Sequence, residues 1–343
     1  MSDALIQLWR RSRAAPTARR RLALTLATMA ALAALVTCGR FGLEAGEPVA
    51  VPTRAGFDFA DFTDAAPEGV TIAGRLILPA EGALRGAAIL SHGAGGTGAR
   101  QDRAAELLAD AGIAALVLDH FSNRGVRSVA ADQLRVGEQQ MAADIFAARS
   151  VLAERLDLAP DRIGAIGWSK GATAVMLAAV GRLGEALDPD DEPLAFAAAF
   201  YPFCGFDLDE EALASPLLLL LGGRDDWTPS APCLRQAEAW AKRGQPVDWA
   251  LWPDAAHGFD SRSGSFRAAS AITVRDTSRR CTLTVEATGR TVTLDRSHAL
   301  ADIPGRRAFL EACGVRGVRF EGNDEARAAS LDRLLRFVEQ ALE

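Results

Sequence analysis

The residues Gly167-Trp168-Ser169-Lys170-Gly171 set a serine between two glycines at the spacing G-x-S-x-G. A serine hydroxyl becomes a useful nucleophile when an adjacent base takes its proton. Flanking glycines allow the sharp strand-to-helix turn that presents such a hydroxyl at the edge of a sheet. The neighbouring sequence fits that turn: RIGAIG reads as a buried strand and GATAVMLAAV as a helix.

The base must be a histidine, and the chain has four. His92 lies in His92-Gly93-Ala94-Gly95-Gly96 after an apolar run, where backbone N–H groups could face a substrate. His120 follows Asp119, itself expected as a strand-end carboxylate. His257 and His298 follow the serine, and only His257 has an apolar strand just before it, in WALWPDAAHGFD. In enzymes built on this turn the chain order is serine, acid, histidine. The acid then falls in Gly222-Gly223-Arg224-Asp225-Asp226-Trp227-Thr228-Pro229, with Asp225 the first choice and Asp226 in reserve. Backbone N–H groups of Lys170 and Ala94 are the expected oxyanion donors, the Lys170 side chain being read as solvated. Trp168, Trp227 and Phe203 are candidates for an acyl pocket, with plain core packing the alternative. His92, Gly93 and Arg124 are candidates for substrate contact, Arg124 for a carboxylate; a surface arginine is the competing reading. No Cys/His cluster has metal spacing, and no metal or cofactor is expected.

These residues need a scaffold. Short apolar runs at Gly86–Ser91, Ile113–Leu118, Ile163–Ile166, Ala195–Tyr201, Leu217–Leu221 and Val247–Trp252 alternate with helical stretches at 101–111, 138–157 and 327–342. Val70–Pro79 alternates in part. Continuous apolar strands between helices predict an α/β fold, a mostly parallel doubly wound sheet covered by helices on both faces. Ligands of such sheets bind beyond the carboxyl ends of the strands, which is where the candidate residues fall. Thr282–Val285 and Thr291–Leu294 predict a β-hairpin, in an insertion spanning about 258–303. Residues 41–69 are expected as an N-terminal extension and 70–343 as the main domain.

Taken together, His92-Gly93 after a strand, Gly167-Trp168-Ser169-Lys170-Gly171, Gly222-x-x-Asp225 with Pro229, and His257-Gly258-Phe259-Asp260 resemble the dienelactone hydrolase family of α/β-hydrolases. The resemblance covers about residues 70–343 apart from the insertion. It implies the α/β-hydrolase fold and selects Asp225 over Asp226. Members with a cysteine nucleophile are the best known of that family, and this chain has Ser169, so neither their thiolate chemistry nor their lactone substrate carries over. Trp227, Cys204 and Cys233 fit an exported, serine-bearing branch. The expected activity is cleavage of a small-molecule carboxylic ester or lactone through an acyl-enzyme. An acyltransferase or peptidase on the same fold is the alternative, and an inactive binding module a third reading.

The 343-residue chain is 49% hydrophobic and 24% charged, with mean hydropathy +0.06. That is globular composition, not that of a disordered, collagenous or polytopic membrane chain. Residues 1–40 carry seven arginines against Asp3, a net +6, which leaves −12 for the rest of a chain whose total is −6. The acidic body argues against a nucleic-acid partner. Residues 22–37 are uncharged and follow six of those arginines, the layout of an export signal. Cleavage, retention as a membrane anchor, and a lipid on Cys38 are the three outcomes; Leu35-Val36-Thr37-Cys38 resembles a lipobox, with Thr37 as its departure. An exported, periplasmic or envelope-associated location follows from any of them. The sequence carries no signal of oligomeric state. Beyond Cys38 lie Cys204, Cys233, Cys281 and Cys313, an even number that suits an oxidising compartment. Of three possible pairings, Cys204–Cys233 and Cys281–Cys313 are favoured, because the first pair falls in two loops that each follow a core strand. Four buried free thiols are the alternative.

Overall fold

The computed structural model describes residues 46–62, 67–188, 192–262 and 264–343. The expected export leader and Cys38 lie outside the described residues. Strands β1 (Glu47–Val51), β2 (Ile72–Ile77), β3 (Gly86–Ser91), β4 (Ile113–Asp119), β5 (Ile163–Trp168), β6 (Ala197–Phe200), β7 (Leu217–Gly222) and β8 (Val247–Trp252) form one sheet. Its order is β1-β2-β4-β3-β5-β6-β7-β8. The β1–β2 and β2–β4 pairs are antiparallel and all others parallel. The expected doubly wound α/β fold is therefore the observed one.

Six of these strands are almost wholly apolar because both sheet faces are covered. Ile89, Leu116, Ala165 and Leu219 face one buried cluster and Leu90, Val117, Ile166 and Leu220 the other, the period of two that a pleated strand imposes. The first cluster packs on helices α2 (Glu138–Leu156), α3 (Lys170–Ala178), α4 (Gly181–Leu187) and α5 (Ser230–Lys242). The second packs on α1 (Ala99–Asp110) and α7 (Asp324–Ala341). The chain runs outward from β3 to β4 on one side and to β5 on the other. The carboxyl ends of β3 and β5 thus flank the topological switch point, the usual ligand crevice of an open α/β sheet.

Within the expected N-terminal extension, β1 closes the sheet edge in register with β2, Val51 opposite Ile72. The insertion runs past 303. It holds β9 (Phe266–Val274), the expected hairpin as β10 (Leu283–Val285) and β11 (Thr291–Thr293), helix α6 (Ile303–Cys313) and β12 (Gly314–Phe320). β12 returns along β9 in antiparallel register, Phe320 opposite Phe266 and Gly314 opposite Val274. The chain then rejoins the body beside its point of departure: Glu321 N–H donates to the His257 carbonyl at 3.0 Å and Asn323 N–H to that of Phe259 at 2.8 Å.

Both favoured disulfides, Cys204–Cys233 and Cys281–Cys313, are present. The first ties the loop after β6 to α5, and the second ties the start of the hairpin to the end of α6. The N-terminal segment also grips the insertion. Asp58, fully buried, accepts from the Thr291 N–H at 2.7 Å and the Thr291 hydroxyl at 2.6 Å. Ala60 N–H donates to the Gly289 carbonyl at 3.1 Å. Among the described residues no helix is long and apolar enough to cross a membrane.

Candidate active site

Ser169 stands between β5 and α3 with φ +53° and ψ −117°, a region that residues with a side chain rarely occupy. Such a conformation costs on the order of 1–3 kcal/mol and persists only where its surroundings enforce it. Here they do. A Cβ on Gly171 would lie 2.4 Å from the Ser91 carbonyl oxygen, and one on Gly167 would lie 2.3 Å from that of Gly171. The two glycines therefore let α3 start hard against β3. The Ser169 N–H donates to the Phe200 carbonyl at 2.9 Å, which fixes the turn to β6.

The Ser169 hydroxyl meets His257 Nε2 at 3.0 Å, and His257 Nδ1 meets Asp225 Oδ2 at 2.8 Å. His257 lies in the loop after β8 and Asp225 in the loop after β7. The other Asp225 oxygen accepts the N–H groups of Trp227 and Thr228, both at 2.8 Å. The carboxylate is thus aimed by its own loop. Thr228 Oγ1 stands 3.0 Å from Asp225 Oδ2 and 3.1 Å from His257 Nδ1. The imidazole lies between the rings of Trp227 and Tyr201, with centroids 4.8 and 4.6 Å away. Asp226 points elsewhere, accepting the Arg319 N–H at 2.7 Å beside Arg275. His298 lies in the insertion, near Phe309.

Lys170 is the first residue of α3, so its N–H has no partner within the helix. Gly93 abuts the nucleophile: a Cβ there would be 3.2 Å from the Ser169 Cβ. Ala94 follows directly.

The other candidates occupy different places from those expected. His92 is fully buried. Its Nε2 accepts the His120 N–H at 3.1 Å, so the ring proton sits on Nδ1, which donates to the Gly93 carbonyl at 2.8 Å. Burial, reinforced by His120, lowers the His92 pKa to about 3, and the ring stays neutral. Arg124 is engaged within the protein. Its two Nη atoms hold Asp144 at 2.7 and 2.8 Å. Trp168 is core: its indole stacks on Phe200 and its Nε1–H donates to Asp260 at 2.8 Å. The Lys170 side chain is buried, not solvated, and its Nζ donates to Glu138 Oε1 at 2.7 Å. Burial lowers the ammonium's pKa, with Glu138 opposing. Burial would raise the Glu138 carboxyl, yet Lys170 holds it below the ordinary carboxylate range.

Sequence reasoning gave Asp260 and Tyr201 no role. Asp260 is buried and bridges the Trp168 indole to the Tyr201 hydroxyl, which donates to it at 2.5 Å. It thereby ties the nucleophile turn to the ring that backs His257. Asp260 stands three residues after His257, so its position was visible but its partners were not.

A cavity of about 120 Å³ adjoins the site, with Ser169, Lys170, Phe203 and Trp227 in its wall. Trp227 and Phe203 thus line this cavity, and Trp168 does not.

Residues 72–283 match the model of the dienelactone hydrolase family. No curated protein matches the chain. Solved structures similar to it include the apo form of Thermogutta terrifontis esterase 2, with 20% identity over 64% of this chain and 88% of that one and a TM-score of 0.48. The propionate-bound form of that planctomycete esterase shows 21% identity over 61% and 86%, with a TM-score of 0.45.

Proposed function

The chain belongs to the dienelactone hydrolase family, hydrolases acting on ester bonds, and from that membership we propose a serine esterase working through Ser169, His257 and Asp225. The observation that carries the reading is the unbroken line from the Ser169 hydroxyl at 3.0 Å to His257 and from His257 at 2.8 Å to Asp225.

In this mechanism His257 Nε2 takes the proton of Ser169 as Oγ attacks the carbonyl of a carboxylic ester or lactone. Asp225 holds the imidazole in the required tautomer and balances the imidazolium. The N–H groups of Lys170 and Ala94 receive the oxyanion, each such donor contributing roughly 2.7–4 kcal/mol to the transition state. His257 then protonates the departing alcohol. Water, deprotonated by the same ring, attacks the acyl-enzyme and frees Ser169. A lysine at position 170 that is paired with Glu138 has no part in these proton transfers.

The paired disulfides support passage through an oxidising compartment, and with the arginine-flanked apolar leader they support export to the periplasm or envelope. One measurement addresses both parts of the reading. The intact mass of the chain, exported with its leader, is recorded before and after a fluorophosphonate. A single adduct mapped to Ser169 is the expected result, on a chain shortened at the leader or lipidated at Cys38. Ser169→Ala should fold, take no adduct and lose p-nitrophenyl acetate hydrolysis. Wild-type turnover by that variant would sink the assignment.

A further inference from the structure

We infer that the cavity beside Ser169 is an acyl site whose wall the insertion completes, and that it takes an uncharged, apolar acyl group larger than acetyl. This rests on Ser169 being the nucleophile. Three observations carry it.

The first is who builds the wall. Nine of the twenty lining residues come from β9 through α6. Five of those nine, Thr291, Leu300, Arg306, Phe309 and Leu310, lie beyond residue 283, where the match to the family model ends. A quarter of the wall therefore comes from chain beyond the stretch that matches the family.

The second is what the wall offers. Phe203, Phe206 and Trp227 on the body face Leu283, Leu300 and Phe309 on the insertion. The cavity, about 120 Å³, is several times the roughly 10–15 Å³ that one water needs on the same measure, so it has room beyond a two-carbon group. Burying a methylene strengthens binding by about fourfold, so such a wall rewards a longer chain.

The third is what the wall withholds. Its cations are already committed. Lys170 is paired with Glu138. Arg306 donates from Nε to the Leu300 carbonyl at 2.9 Å and from Nη2 to that of Phe57 at 2.6 Å, and its guanidinium lies 3.8 Å from the centre of the Phe57 ring. Glu138, Asp58 and Asp61 answer its charge. A carboxylate on the acyl group would enter without a cation to receive it, and burying an unpaired charge is costly.

The test is the rate on p-nitrophenyl acetate, butyrate, hexanoate and hemisuccinate, with fluorophosphonate labelling alongside. The expected kcat/KM rises at least tenfold from acetate to hexanoate, and butyrate exceeds the anionic hemisuccinate at least tenfold. Leu283→Phe and, separately, Leu310→Phe narrow the cavity from the insertion side. Each should lower the hexanoate-to-acetate ratio at least fivefold while the serine still labels. Should either variant fail to fold, the wild-type series decides alone. Rates that are flat or falling with chain length, or a preference for hemisuccinate, overturn the inference and leave the Ser169 reading standing. Absence of both turnover and label overturns both.

Discussion

The Gly93 carbonyl accepts the Nδ1–H of His92, and that bond has a consequence on the far side of the same peptide. A trans peptide is planar, with its C=O and N–H pointing in opposite directions. Holding the Gly93 oxygen against a buried ring therefore turns the Ala94 N–H away from that ring. His120 supports the arrangement: its N–H holds His92, and its own ring stands between Ser91 Oγ at 3.0 Å and Asp144 at 2.8 Å. Ser91, His120 and Asp144 repeat the residue types and order of contacts of the proposed catalytic line, yet all three are wholly buried. Sealed from substrate, they set a loop. His92→Ala should lower kcat about ten- to a hundredfold with KM little changed, measured on p-nitrophenyl butyrate. An equal rise in KM with kcat intact would place His92 in substrate binding after all. At this scale the sequence was legible wherever chemistry is carried by neighbours, as in Gly167–Gly171 and Gly222–Asp225. It was not legible where a side chain is answered from afar. Lys170 reads as a solvated lysine until Glu138, on another helix, is brought beside it.

Among the elements the same distinction separates β7 from β9. LLLLLG can only be a strand buried on both faces, and its role follows from composition. FRAASAITV and GVRGVRF alternate poorly and become strands by pairing across the intervening residues 275–313, with a register shift between Arg316 and Val318. The hairpin between them is local and was visible. So the sheet and its loops could be read in advance, while the roof over the cavity could not. The Cys281–Cys313 bond matters most for that roof, since it joins the hairpin to α6 across 32 residues. Closing a loop of that size contributes about 3–4 kcal/mol. Replacing both cysteines by serine should therefore loosen the insertion first. The expected outcome is faster proteolytic cleavage within 275–320, with a smaller change at Cys204–Cys233. Uniform resistance would mean that the Asp58 grip alone holds the roof.

For the molecule as a whole, buried charge sets the acid limit. His92 in the fold has a pKa of about 3 against its usual 6.5. As pH falls through 6.5 the unfolded chain takes up a proton that the folded chain refuses until about 3. Stability is therefore complete above about 6.5 and lost progressively below it. Asp144 acts in the same direction: burial would raise its carboxyl, but hydrogen bonds from His120 and Arg124 hold it below the usual range. Thermal melts at pH 7.5, 6 and 5 should show Tm falling with acid, and His92→Asn should flatten the fall. An unchanged slope in that variant would exclude His92 as the sensitive group.

β1 and the Asp58 grip also decide where the chain may be cut for study. Val70 looks like the natural first residue, since the recognisable motifs all follow it. A protein begun there would lack the strand that covers the β2 edge and the carboxylate that anchors Thr291. It should stick to its own copies through the bare edge and discriminate poorly among acyl chains. Begun at Gly46 it should stay dispersed and keep that discrimination, so light scattering and one pair of esters would tell the two truncations apart.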